Sequence, residues 1–141
     1  VAALTPEAKE GLALFMDVGC TTCHMGVSVG GTMFQKFGLH QDFRPLTGST
    51  DADHGLMDLT KKESDKDLFK VPGLRNVART GPYFHDGSVA DLSKAVDVMA
   101  RTSLNKELTA DEIRKIVAFL ESLTGTPPAD ALVVPQAVAM R

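Results

Sequence analysis

The chain has no tryptophan, one tyrosine and only two cysteines in 141 residues. Two cysteines cannot make a structural zinc site alone, and the further ligands they would need, His40 and His54, lie at a spacing that matches no compact zinc pattern. No apolar run approaches the length of a membrane span. There is no signal peptide and the first residue is Val1, so a processed or excised product is expected. The formal charge of −3 weighs against nucleic acid as a partner. Strand-like alternation persists nowhere, so no sheet is expected, and there is no internal repeat. Hydrophobic residues at 43% and charged residues at 23% are ordinary globular usage, and the length suits one domain with a real core.

What the chain does have is Cys20-Thr21-Thr22-Cys23-His24. This is C-x-x-C-H, the attachment sequence of a c-type haem. Two thiols form thioethers to the porphyrin vinyl groups, and the two residues between them let one tight turn present both sulfurs to one edge. The adjacent imidazole then reaches the iron from one face. A thioredoxin-like dithiol needs a βαβ setting, and none is visible around residue 20. A chance C-x-x-C is a weaker reading, because the trailing histidine fits and both cysteines are used. No disulfide is expected. Covalent haem belongs outside the cytoplasm, which makes the periplasm the natural compartment, and the haem would add a large apolar filler to the core.

The rest reads as helices and loops. Thr5-Pro6-Glu7 is a helix start, with Thr5 as N-cap and Pro6 at the first helical position. Ala8, Leu12, Phe15 and Met16 give that helix an apolar face running into Gly19, so it delivers Cys20. Gly26, Gly30 and Gly31 allow close turns beside a haem edge. Residues 40 to 70 read as irregular and solvated, with a mixed charge cluster from Asp51 to Lys70 that is either plain surface or a docking face for a redox partner. A second helix is expected from about Asp91 to Arg101, with Leu92, Ala95, Val96 and Met99 in one stripe. A third runs from Thr109 to about Leu123, opened by the capping box Thr109-Ala110-Asp111-Glu112 and stopped near Gly125. Ile113, Ile116, Val117 and Leu120 form its apolar face. The fold class is all-α: a cytochrome c-like domain over 4–128 wrapped around one haem, followed by a tail over 129–141.

The iron's sixth position decides between electron transfer and chemistry on a bound oxidant, and a methionine thioether is the usual choice for an electron carrier. Six methionines compete. Met16 suits core packing, Met25 adjoins the proximal ligand, Met140 lies in the terminal tail, and no pattern supports Met33 or Met57. Met99 sits on an apolar stripe far from the haem motif, although on pattern alone such a methionine is more often core than ligand.

Phe69-Lys70-Val71-Pro72-Gly73-Leu74-Arg75-Asn76-Val77, then Thr80-Gly81-Pro82-Tyr83-Phe84-His85-Asp86-Gly87-Ser88, closely resembles the bacterial di-haem cytochrome c peroxidases. The similarity is to their C-terminal, high-potential haem domain. Gly11-Leu12-Ala13-Leu14-Phe15, Val27-Ser28-Val29-Gly30-Gly31, and Ile116-Val117-Ala118-Phe119-Leu120 before Leu123-Thr124-Gly125 agree with it. The resemblance covers about Leu4 to Pro128.

Carried onto this chain, the resemblance implies Met99 as the sixth iron ligand. It implies that the carbonyls of Thr80 and Pro82 contribute to an inter-domain calcium ion, here only half a site. His85 is then a structural residue hydrogen-bonded near the haem propionates, with a distal ligand or catalytic base as the reading set aside. Arg75 has the chemistry to pair with a propionate or to be plain surface. His40 and His54 are expected to be exposed and without function. Only one C-x-x-C-H is present, and the aromatic residue that the family places between its haems is missing. The implied function is electron transfer, with a small periplasmic cytochrome or copper protein as donor and a peroxidatic haem domain as acceptor in hydrogen peroxide reduction. The alternative is a stand-alone haem peroxidase in which Met99 is labile and the iron binds peroxide directly.

Overall fold

A computed structural model of the chain describes residues 4–50, 52–126 and 128. The tail 129–141, with Met140 and the Leu132-Val133-Val134 run, lies outside the described residues, as do Asp51 and Pro127. Among the described residues, the five α-helices in chain order are α1 (Pro6–Val18), α2 (Arg44–Thr47), α3 (Leu56–Thr60), α4 (Leu92–Leu104) and α5 (Ala110–Ser122). Two three-residue strands, β1 (Phe34–Lys36) and β2 (Leu68–Lys70), complete the framework. Among the described residues, no helix is long and apolar enough to cross a membrane.

The three long helices begin where their capping residues place them. Thr5 Oγ1 accepts the Ala8 N–H at 3.1 Å, which satisfies one of the orphan donors of α1. Asp91 does the same for Lys94 at 2.8 Å at the head of α4. Thr109 and Glu112 close a reciprocal capping box on α5. Helix α1 stops at Gly19, whose φ of 106° lies in the left-handed region that glycine reaches without a Cβ penalty. Helix α5 stops at Leu123 rather than at Gly125. Gly125 instead donates its N–H to Asn76 Oδ1 at 2.8 Å, so it ties the end of the helix to the loop after β2.

Helices α1 and α5 form the main packed pair, with α4 against α5. At their crossing Gly11 is buried, and a side chain there would meet the Lys115 backbone and Phe119. Phe15, Leu74, Ile116, Phe119 and Leu120 make one apolar cluster, on which Leu12, Cys20, Val29, Leu92 and Val96 pack. Phe37, Phe43 and Val98 make a second cluster, on which Leu46, Phe69, Phe84 and Met99 pack. The interior is therefore two clusters, and α4 contributes to both. Leu92 and Val96 face the first, and Val98 and Met99 the second. Met16 departs from the core role expected of it, being half exposed.

The stretch from 40 to 70 is more ordered than its composition suggests. It contains α2, α3 and β2, and Phe43 within it is 1% exposed. The Arg44 guanidinium binds Asp67 at 2.7 Å and Asp42 at 3.1 Å, and also lies over the Phe43 ring. Asp67 is itself buried. Elements of three to five residues have no periodicity to read, so tertiary anchors rather than local pattern make them. The same reason explains the unexpected sheet. β1 and β2 pair antiparallel with Phe34 opposite Lys70, Gln35 opposite Phe69 and Lys36 opposite Leu68. The architecture is helix-rich with one small sheet, in keeping with the expected all-α class.

Candidate haem site

Helix α1 ends at Gly19 and hands directly to a tight turn over Cys20–Thr22. Within it the His24 N–H bonds to the Cys20 carbonyl at 3.0 Å, and the Thr22 N–H to the Gly19 carbonyl at 3.0 Å. Cys20 and Cys23 are both free thiols and both partly exposed. Burial pushes the Cys20 thiol up to about 11, so it stays protonated near neutrality.

His24 follows the turn with its ring 6.3 Å from that of Phe15, which ties the imidazole to the first apolar cluster. Its Nδ1 faces the Val29 carbonyl at 3.4 Å, and the Pro72 carbonyl also engages the ring. A carbonyl only accepts, so Nδ1 carries the proton and Nε2 is left for a metal. Burial lowers the His24 pKa against the opposing pull of those carbonyls, which favours the neutral imidazole that metals bind. Gly30 is required here. Its φ is 121°, and a Cβ would overlap the Pro72 carbonyl and come within 3.0 Å of His24 Nδ1.

Met99 approaches from α4, partly buried and packed on the Phe37, Phe43 and Val98 cluster. Cys20 and His24 border one half of the interior and the Met99 thioether borders the other. Met25 is half exposed beside His24, and Met33 and Met57 are partly buried in loop and α3.

His85 lies with the second cluster. Its ring stacks on Phe69 at 4.1 Å and meets the edges of Phe43 and Phe37 at 5.7 and 6.2 Å. Its Nδ1 is buried without a hydrogen-bond partner among the described residues. Such an atom costs about 1–3 kcal/mol unless something completes it. The loop that carries it is pinned on both sides. The Ser49 hydroxyl bonds to Asp86, and the Tyr83 N–H donates to the Val89 carbonyl at 2.6 Å.

The remaining sequence candidates fall elsewhere. Arg75 is exposed, and its Nε donates to the Val27 carbonyl at 2.6 Å, next to the haem motif. Thr80 and Pro82 are exposed on either side of Gly81, joined by a cis Gly81–Pro82 bond. No group of three or more His, Cys, Asp or Glu that could hold a metal ion occurs among the described residues. His40 is exposed as expected, but His54 is partly covered and its Nδ1 sits 3.2 Å from Asp58 Oδ1. Sequence reasoning missed two contributors. Gln35 brings its amide to 3.8 Å from Cys23 Sγ, and the Arg44–Asp67 pair braces the wall that holds Phe43. Neither carries a spacing signal, because each depends on partners far along the chain.

The donor set fits a haem c: two free thiols one turn apart, a neutral imidazole with its outer nitrogen fixed, and a buried imidazole nitrogen awaiting a partner. Comparison with known proteins agrees. The sequence model of the cytochrome c family matches residues 8–124. The cytochrome c551 peroxidase of Nitrosomonas europaea is 48% identical over 126 residues, covering 89% of this chain and 36% of that protein. The cytochrome c peroxidase Ccp of Escherichia coli is 50% identical over 123 residues, covering 87% of this chain and 26% of that protein. Among solved structures, a MauG-like protein associated with microbial copper homeostasis superposes with a TM-score of 0.72 at 28% identity, over 89% of this chain and 49% of that one. The chain thus spans about a third, or less, of the length of these curated relatives, and corresponds to their C-terminal part. The chain belongs to the cytochrome c family, as a domain carrying covalently bound haem c and similar to the C-terminal part of bacterial cytochrome c peroxidases.

Proposed function

We propose that this domain, spanning 4–128, is the electron-transferring unit of a periplasmic hydrogen peroxide reductase, with one haem held by Cys20, Cys23, His24 and Met99. The observation that carries the reading is the divided interior, with the C-x-x-C-H turn bordering one cluster and Met99 the other. A haem c held by these residues would supply a one-electron redox centre. Every other contribution comes from the chain.

Cys20 and Cys23 hold the porphyrin edge through thioethers, which fixes its position without relying on axial bonds. His24 donates Nδ1–H to backbone carbonyls and so presents a neutral Nε2 in one orientation. Met99 offers a soft thioether from a rigid helix, and such a ligand favours the reduced state. With both His24 and Met99 holding the iron, the chain would offer peroxide no place on it. His85 would donate from its unpartnered Nδ1 to a propionate, and Arg75 would supply positive charge on the haem-motif side. The aromatic wall of Phe37, Phe43 and Phe69 excludes water from the Met99 side. The electron donor is a small periplasmic cytochrome or copper protein, and the acceptor is a peroxidatic haem in another domain or chain.

The test is the ferric absorption spectrum of the haem-loaded chain with and without hydrogen peroxide. A low-spin spectrum with the weak methionine-to-iron charge-transfer band, unchanged by peroxide, supports His24/Met99 ligation and electron transfer. A high-spin spectrum that shifts with peroxide overturns the reading and makes the chain a peroxidase in its own right.

A further inference from the structure

The inner face of the two-stranded sheet carries a polar side chain where an apolar one is ordinary. In an antiparallel pair, opposed residues share a face, and Gln35 lies opposite Phe69. Phe69 uses that face to stack on His85. Gln35 uses it to bring Nε2 to 3.8 Å from Cys23 Sγ. The flanking Phe34 and Lys36 are exposed, as alternation requires, while Gln35 is half-buried. Its amide has one orientation. Oε1 accepts the Lys36 N–H at 3.0 Å, which turns the donor end and not the acceptor end toward the sulfur.

We infer that Gln35 is a positioning residue for the haem edge, its amide N–H donating to the Cys23 sulfur, holding it in place and polarising it so that the attached haem is easier to reduce. The inference rests on the proposed attachment at Cys20 and Cys23. Hydrogen bonds from the surrounding shell to sulfur are one of the levers by which a protein sets the potential of an iron centre. A donor dipole aimed at the haem edge opposes the extra positive charge of the ferric state. It therefore raises the midpoint potential. A side chain that merely filled space would not.

The experiment compares the native haem-loaded chain with Gln35→Leu and Gln35→Glu. Intact mass reads covalent attachment, and spectroelectrochemical titration reads the midpoint. The glutamate variant keeps the shape of glutamine while turning an acceptor and a negative charge toward the sulfur. All three chains are expected to carry haem. Poised at the native midpoint, the ratio of oxidised to reduced haem should rise about threefold in Gln35→Leu, the effect of one weak hydrogen bond, and further in Gln35→Glu. The methionine charge-transfer band should stay in place. Haem-loaded variants with an unchanged or raised midpoint overturn the role of Gln35 alone. If only Gln35→Glu loads, its midpoint decides by the same criterion. A native chain without covalent haem overturns this inference together with the proposed function.

Discussion

Gly11→Ala would set helix propensity against helix packing, and the geometry decides which wins. Alanine in a helix interior is favoured over glycine by about 1 kcal/mol. At Gly11, however, the added Cβ would lie 2.5 Å from the Lys115 carbonyl carbon and 3.1 Å from Phe119 Cβ. Non-bonded carbons rest at about 3.5–4.0 Å, so α1 and α5 would have to part by roughly 1 Å. The obstacle is helix backbone, which cannot swing aside as a side chain can. A gap of that size forfeits about a quarter to a half of each dispersion contact across it, and Phe15, Ile116, Phe119 and Leu120 lie in this interface. Overpacking costs about 1–3 kcal/mol, and the rigidity of the obstacle places this case at the upper end. Subtracting the propensity gain leaves a net destabilisation of about 2 kcal/mol. For a chain of this length that lowers the melting temperature by about 5–10 °C. Thermal unfolding of the haem-loaded chain followed by circular dichroism measures it. Gly125→Ala is the control, since nothing lies within 4 Å of a Cβ there. If Gly11→Ala melts at or above the native temperature, the close crossing of α1 and α5 is wrong.

Asp67→Asn leaves the Arg44 guanidinium beside Phe43 without its main counter-charge. Breaking a buried pair costs about 3–5 kcal/mol, but Asp42 remains and Arg44 is partly open to water, so about 2 kcal/mol is expected from denaturant titration. Thr109→Ala removes the capping hydroxyl of α5 and should cost about 1 kcal/mol in the same assay. The backbone N–H of Thr109 holds the Glu112 carboxylate below its ordinary pKa. Its stabilising contribution is therefore complete above the unfolded pKa and lost as pH falls through the lower folded value. The stability gap between native chain and Glu112→Ala should accordingly narrow below about pH 4; a gap independent of pH would refute the cap. Met99→Ala should turn a low-spin ferric spectrum high-spin, and an unchanged spin state would remove Met99 from the iron.

The long helices were legible because their signals are local. Thr5, Asp91 and Thr109 mark their starts by side chains that reach backbone donors only three residues away. The motif Cys20 to His24 was legible for the same reason, since five consecutive residues hold the thiols and the imidazole. The sheet, α2 and α3 were not, because each covers fewer than two periods of the pattern that would betray it. Phe43 and Asp67 read as loop residues in sequence, yet they are buried through contacts with partners as distant as Val98 and Arg44. Gln35 was invisible for both reasons. It sits in a three-residue strand and acts on a cysteine reached only through the fold.

The divided core gives the site its logic. A single-domain protein of this size normally closes one contiguous apolar core. Here Phe15, Leu74, Ile116, Phe119 and Leu120 stand apart from Phe37, Phe43 and Val98. Elements that border one cluster or both carry the candidate ligating side chains. Helix α1 ends in the turn that carries Cys20 and His24 beside the first cluster, and α4 passes from Leu92 and Val96 at the first to Val98 and Met99 at the second. On the proposed ligation, a flat apolar group held from both sides would join the two clusters into one core. Haem loading should therefore raise stability by more than its axial bonds alone provide. The melting temperature of haem-loaded Met99→Ala tests this directly: it should remain well above that of the haem-free chain, because the group still bridges both clusters when one axial bond is gone. If it collapses to the haem-free value, the bridging role of the group is refuted and the axial bond carries the fold.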